Sequence, residues 1–251
     1  MNTSNNRAPL LELKNITAGY ENAVIIKDIN LSLQKGEIIS LIGKSGIGKS
    51  TLLNVISGLI TPLEGRVYLE SLDITGTTGN VSYMLQKDLL LPFKTVVDNI
   101  AIPLIIKGKS KKEARLIASS HMDEFGLGGY ADKYPSSLSG GMRQRAALLR
   151  SYLFSSEVIL LDEPFSSLDY ITKLHMYKWF TGMVDRLGIS AIFITHDIKE
   201  ALLLSDKIYI LYGKPANIKY AMQVSNPSEK DIANPPFAQN EKKLLDMIEN
   251  L

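Results

Sequence analysis

Ile38-Ile39-Ser40-Leu41-Ile42-Gly43-Lys44-Ser45-Gly46-Ile47-Gly48-Lys49-Ser50-Thr51 joins a short apolar run of strand length to a glycine-rich loop. Beyond it, Ser50 to Ser57 reads as a helix with Leu52, Leu53, Val55 and Ile56 available for burial. The loop fits G-x-x-x-x-G-K-[ST], and it has the strand–loop–helix setting that gives the pattern its meaning. Gly43, Gly46 and Gly48 allow a nest of backbone N–H groups around phosphate oxygens. Lys49 adds a positive charge, and Ser50 can offer its hydroxyl to Mg²⁺. The same loop includes Lys44, Ser45, Ile47 and Thr51. A nucleotide phosphate is its expected occupant.

Downstream lies a second run, Leu138-Ser139-Gly140-Gly141-Met142-Arg143-Gln144-Arg145. Ser139 reads as the N-cap of a helix running from Met142, and Gly140 and Gly141 would let N–H groups approach an anion with no Cβ in the way. A helix N-terminus of this kind attracts phosphate. Alone, the run is also consistent with a capped helix after a loop. Beside a phosphate loop, it means two phosphate sites in one chain, which need a joint explanation.

Three further apolar runs end in polar groups. Val158-Ile159-Leu160-Leu161 leads into Asp162 and Glu163. At the carboxyl end of a strand near a phosphate loop, Asp162 would hold Mg²⁺ and Glu163 would orient water or accept its proton. Ala191–Thr195 leads into His196, whose imidazole could donate to a γ-phosphate oxygen or, judged alone, be a structural strand-end histidine. Val81–Leu85 leads into Gln86, which could touch the metal or the water or, without that context, be a plain polar residue at a strand end. His121 and His175 border no recognisable site. Tyr20, in Ala18-Gly19-Tyr20-Glu21, could stack on a nucleobase, a contact of roughly 1–3 kcal/mol, or pack on the core from a loop.

The chain has 251 residues, 45% hydrophobic and 22% charged, which suits a globular protein of one large or two small domains. A net charge of +2 gives no nucleic-acid footprint, and the lack of cysteine excludes disulfides and thiolate metal sites and suits a reducing compartment. Met1–Pro9 is polar and lacks the apolar core of a secretory leader. The longest near-apolar run, Ile100–Ile106, is far short of the ~20 residues that span a membrane.

Strand-length runs at Leu10–Ile16, Val24–Leu33, Ile38–Ile42, Val81–Leu85, Val158–Leu161, Ala191–Thr195 and Ile208–Tyr212 alternate with helical patterns. This predicts an α/β core with a mostly parallel sheet and antiparallel strands near the N-terminus. Between Leu89 and Ser156 the pattern turns helical, over Thr95–Ile106, Lys111–Phe125 and Ser139–Ser155. A further strand is possible at Ile218–Val224, followed by Pro227, Pro235 and Pro236. Leu244, Leu245, Ile248 and Leu251 would then share one face of a terminal helix, packed on the core or offered to a partner.

Over roughly residues 10 to 225 the chain resembles the ATP-binding subunits of ABC transporters, with every family motif in order. Tyr20 matches the A-loop, Gly43–Thr51 the Walker A, Gln86 the Q-loop and Leu138–Gln144 the signature. Val158–Glu163 matches the Walker B, Ser167-Leu168-Asp169 the D-loop and His196 the H-loop. The finer resemblance, through Leu89–Ile100 and Asp162-Glu163-Pro164-Phe165, is to importer subunits of the nitrate, sulfonate and taurine type.

The resemblance implies a P-loop ATPase core, residues 10–86 and 157–225, with an inserted helical subdomain at about 87–156. A flexible tail (1–9) and a C-terminal tail with a short helix (226–251) would flank it. It also implies ATP and Mg²⁺ as cofactors and a head-to-tail homodimer. In that dimer ATP lies between the Walker A of one copy and the Ser139-Gly140-Gly141 turn of the other, with Asp169 at the interface. Lys49, Ser50 and Asp162 would hold phosphates and Mg²⁺, with Gln86 near the metal, and Glu163, His196 and Gln86 would surround the γ-phosphate. The expected partners are membrane permease subunits and a solute-binding protein, with no nucleic acid. The expected location is the cytoplasmic face of the cell membrane. Leu89–Phe93 would either receive the permease or belong to the helical core. Lys107, Lys109, Lys111, Lys112 and Arg115 read as a solvated face in preference to a lipid contact. A soluble ABC-type ATPase of DNA repair or translation would need a coiled coil, a second ATPase domain or a basic face. A subunit serving an exporter is the other alternative.

Overall fold

The structure is a computed structural model that describes residues 8–21, 23–155, 157–224 and 230–250. Most of the expected N-terminal tail, and the expectations that fall on Pro227 and Leu251, lie outside the described residues. The chain begins with strands β1 (Leu11–Tyr20), β2 (Ala23–Leu33) and β3 (Ile38–Ile42), then helix α1 (Lys49–Ile56) and strands β4 (Glu64–Leu69), β5 (Leu72–Asp73) and β6 (Ser82–Met84). Helices α2 (Val96–Ile106) and α3 (Lys111–Met122), a 3₁₀ turn at Pro135–Ser137 and α4 (Gly140–Phe154) follow. The rest is β7 (Val158–Asp162), α5 (Tyr170–Leu187), β8 (Ser190–Ile194), α6 (Ile198–Leu204), β9 (Lys207–Gly213), β10 (Ala216–Gln223) and α7 (Pro235–Glu249).

These elements fall into two compact units, one made of the described residues within Met1–Asn80 and His196–Leu251, the other of Val81–Thr195. In the first, the strands lie in the order β5-β4-β1-β2-β10-β9-β3. β1 runs antiparallel to β2 and β4, as expected near the N-terminus, whereas β3 runs parallel to β9. All five residues of β3 are buried, as a strand covered on both faces requires. Strands β4 and β5, which the sequence reading missed, extend the sheet beyond β1. β1 also runs on to Tyr20, so this residue ends a strand and does not sit in a loop.

The terminal helix packs on the core. Phe237 and Leu244 are buried in a cluster with Ile42, Ala201, Leu202 and Ile208, and Ile248 packs against it. Leu245, expected on the same face, is 41% exposed, because one residue is a rotation of about 100° on a helix. Lys230 Nζ donates to Asp206 Oδ1 (2.6 Å), and Asp206 Oδ2 accepts from Ile38 N (2.8 Å) at the start of β3.

In the second unit β8, β7 and β6 are parallel neighbours, in register from Val158↔Ser190 to Asp162↔Ile194. The helices start where their caps dictate. Thr95, Ser110, Ser139 and Asp169 each accept from the backbone N–H three residues on. The basic cluster is largely paired within the unit. Arg115 meets Asp98 (2.8 Å) and Asp132 (2.9 Å), and Lys109 meets Glu113 (2.6 Å), in keeping with a solvated face. Behind α4, Trp179 packs edge-on to Phe125, and the Arg145 guanidinium lies 4.9 Å from the indole ring centre. Among the described residues no helix is long and apolar enough to cross a membrane.

Candidate nucleotide-binding site

In the first unit, β3 delivers the glycine loop and α1 leaves it. Gly43, Gly46 and Gly48 have φ of 154°, 73° and 114°, and two of them are also crowded. A Cβ on Gly43 would lie 2.7 Å from Leu211 O, and one on Gly48 would lie 2.7 and 2.8 Å from the γ-methyls of Ile26 and Ile25. Gly48 is the N-cap of α1 and offers no side chain to the first-turn N–H groups. The N-terminus of α1 therefore has no side-chain cap from the residue before it, in the setting that suits an anion.

Lys49 is buried, and its Nζ donates to Gly43 O (2.8 Å) and Lys44 O (3.0 Å), so the charge is held inside the loop by the loop's own carbonyls. Ser50 is exposed on the first turn of α1, Thr51 is buried, and Lys44, Ser45 and Gly46 are exposed with Ile47 half-buried beneath them. A cleft of about 590 Å³ opens between Lys44–Ile47 and Tyr212–Lys214. Tyr20 is half exposed, and its hydroxyl accepts from Asn54 Nδ2 of α1 (3.3 Å). Its ring is thus not core packing. His196 is exposed, immediately before Asp197, whose carboxylate caps α6.

In the second unit Asp162 ends β7 half-buried, and Tyr83 donates to its Oδ2 (3.4 Å). Glu163 has φ 46°, a left-handed conformation that costs a non-glycine residue about 1–3 kcal/mol. It is fixed on both sides: its N–H donates to Ile194 O (3.1 Å), and its carbonyl accepts from Ser166 N (3.2 Å) and Ser166 Oγ (3.0 Å). Gln86 Nε2 donates to Glu163 Oε2 (3.2 Å) and Ser166 Oγ (3.3 Å), so these two predicted site residues are in direct contact.

Also in this unit, Ser139 caps α4 (Met142 N to Oγ, 3.3 Å) and is exposed. Asp169 caps α5, accepting from Thr172 N (3.0 Å) and Thr172 Oγ1 (2.6 Å). These Thr172 bonds, side chain first, hold its carboxyl below the ordinary value. The two helix starts abut. A Cβ on Gly140 would lie 3.2 Å from Leu168 Cδ2, one on Gly141 would lie 3.2 Å from Thr172 Cγ2, and Gln144 Nε2 donates to Ser167 Oγ (3.4 Å). The glycines of the second run therefore serve helix packing as well as access to an anion.

Three contacts were not anticipated from sequence. Gln144 and Ser167 link two motifs, Tyr83 supports Asp162, and Asp88 meets Arg143. Each joins residues far apart in the chain, and no local spacing signals them.

Residues 26–166, more than half the chain, match the ABC transporter family. The chain belongs to that family. It is 42% identical to the formylaminopyrimidine import ATP-binding protein ThiZ of Halalkalibacterium halodurans, over 82% of this chain and 81% of that one. To the nitrate import ATP-binding protein NrtD of Synechocystis it is 35% identical, over 88% and 84%. It also superposes on a dimeric ATP-binding cassette solved in a post-hydrolysis state with ADP and Pi. That match has a TM-score of 0.72 at 29% identity and covers 86% of this chain and 99% of that one. This ABC subunit is thus an ATP-binding protein and an ATPase, and its relatives are import subunits for small solutes, consistent with the expected resemblance to the nitrate, sulfonate and taurine group.

Proposed function

We propose that this ABC ATPase pairs with a second copy around two ATP molecules and energises import of a small solute through separate membrane permease subunits. The observation that carries the reading is the exposed, serine-capped start of α4 in the same chain as the Lys49 loop. One copy then supplies both kinds of phosphate site, and each ATP needs one of each.

In this scheme the loop N–H groups and Lys49 bind the phosphates, and Tyr20 stacks on the base. The exposed Ser50 hydroxyl and the Asp162 carboxylate are hard oxygen donors of the type that suits Mg²⁺, with phosphates and water completing the shell. Bound there, the ion would neutralise phosphate charge. Glu163 takes a proton from the attacking water, held towards it by Gln86, and His196 donates to the γ-phosphate. Ser139, Gly140 and Gly141 of the facing copy close the site, and Asp169 lies at the junction. Leu89 and Phe93, 53% and 72% exposed, offer an apolar landing for the permease. Such a complex would lie at the cytoplasmic membrane face and would draw its cargo from a solute-binding protein.

Affinity purification of the protein from membranes of its own cells tests the transport reading. Recovery of a multi-span permease supports it, whereas recovery of ribosomes or DNA-repair proteins alone refutes it.

A further inference from the structure

We propose that Arg143 is a positioning residue that ties the turn carrying Ser139 to the loop carrying Gln86. Its guanidinium reaches both. Nη1 donates to Leu138 O (2.9 Å), the carbonyl just before Ser139, and Nε donates to Asp88 Oδ2 (3.2 Å), two residues after Gln86.

Each end of this link is itself organised. Asp88 Oδ1 accepts from Leu90 N (3.0 Å), closing a turn in which Leu89 adopts φ 46°. Two turns further along α4, Arg150 donates to Leu89 O (2.9 Å) and Asp88 O (2.6 Å). At the other end, Arg143 N donates to Ser139 O (3.0 Å), so the guanidinium and the serine cap share one helical turn. Gln86 in turn holds Glu163. The path from the carboxylate through the glutamine loop to the start of α4 is thus continuous within one compact unit.

The Arg143 and Asp88 side chains are 39% and 28% exposed, and ion pairs so placed contribute little to stability. What Arg143 supplies is geometry. Its planar fork holds two donors at a fixed spacing, one for each of two acceptors on different segments, and a lysine's single ammonium does not match that spacing. Catalytic groups displaced by about 1 Å lose up to ~10²-fold in rate, so loosening the link should slow turnover without touching the Lys49 loop.

The inference rests on the roles proposed for Gln86 and Ser139, and a double-mutant cycle on the full chain separates the two. Arg143→Met keeps the apolar stem, and Asp88→Asn keeps the acceptor for Leu90 N. Each is expected to lower kcat for ATP by about tenfold with KM unchanged, with the double variant no worse than Arg143→Met alone and Arg143→Lys intermediate. Amide hydrogen exchange is the second readout. Residues 86–90 and 138–142 should exchange faster together in Arg143→Met, whatever Gln86 and Ser139 do chemically. Wild-type kcat with exchange unchanged in the single variants, or multiplying losses in the double, would show that Arg143 does not act through Asp88. Faster exchange in one segment only would remove the link itself. Wild-type kcat with both segments loosened would instead overturn the catalytic roles of Gln86 and Ser139.

Discussion

Gly48→Ala isolates how much of the phosphate loop is held by steric necessity. At φ 114° an alanine is strained by about 1–3 kcal/mol. Its Cβ would also lie 2.7 Å from Ile26 Cγ2 and 2.8 Å from Ile25 Cγ2. Both methyls belong to β-branched side chains on β2, which cannot swing aside, and forcing them apart costs about 1–3 kcal/mol more. Gly46→Ala is the matched control. It also needs a positive φ, but at 73°, near the left-handed well, and nothing lies within 4 Å of its Cβ.

The difference between the two variants is therefore at least the steric part, with the extra strain of φ 114° acting in the same direction. At roughly 2–4 °C per kcal/mol for a chain of this size, nucleotide-free Gly48→Ala should melt about 2–12 °C below Gly46→Ala in scanning calorimetry. Strain relieved by moving the loop would instead reappear as weaker ATP binding, tenfold for about each 1.4 kcal/mol. Equal melting temperatures together with equal ATP affinities would refute the reasoning.

Glu163→Gln should bind ATP, turn it over very slowly and accumulate as an ATP-dependent dimer in gel filtration; wild-type turnover would remove Glu163 as the proton acceptor. Burial pushes the Asp98 carboxyl up, but hydrogen bonds from Arg115 and Thr95 and the charges of Arg115 and Lys111 outweigh it, leaving it below the ordinary value. A depressed native pKa gives stability that is complete above the unfolded value of about 4 and is lost as pH falls through the native value. Asp98→Asn should therefore melt below wild type at neutral pH, with the gap closing in acid; a gap independent of pH would count against the assignment. Phe237→Ala, at a side chain 1% exposed, should cost about 3–5 kcal/mol in urea unfolding, and a loss under about 1 kcal/mol would mean that α7 is not docked.

The parallel strands were the most legible part of the fold. β3, β7 and β8 are almost wholly buried, and a buried strand must be a short apolar run whatever surrounds it. α4 was legible from its cap, since Ser139 and the glycines mark its start. β4 was not, because Glu-Gly-Arg-Val-Tyr-Leu buries only Val67 fully and carries two charges. α5 was not delimited either, since the apolar Tyr170 and Ile171 begin it largely exposed, which blurs the helical period. Among the site residues, Lys49 and Glu163 could be named from local pattern, but the left-handed backbone of Glu163 could not, because it depends on Ile194 and Ser166 gripping it from both sides.

Trp179 is the chain's one tryptophan, and it lies in the second compact unit with its indole N–H buried and without a hydrogen-bond partner among the described residues. Fluorescence excited at the red edge, where the eleven tyrosines no longer absorb, therefore reports on that unit alone. The unit that contains α4 thus carries its own optical label, requiring no engineered probe. Any divergence between its melting curve and that of the whole backbone would reveal directly that the two halves unfold as separate cooperative bodies.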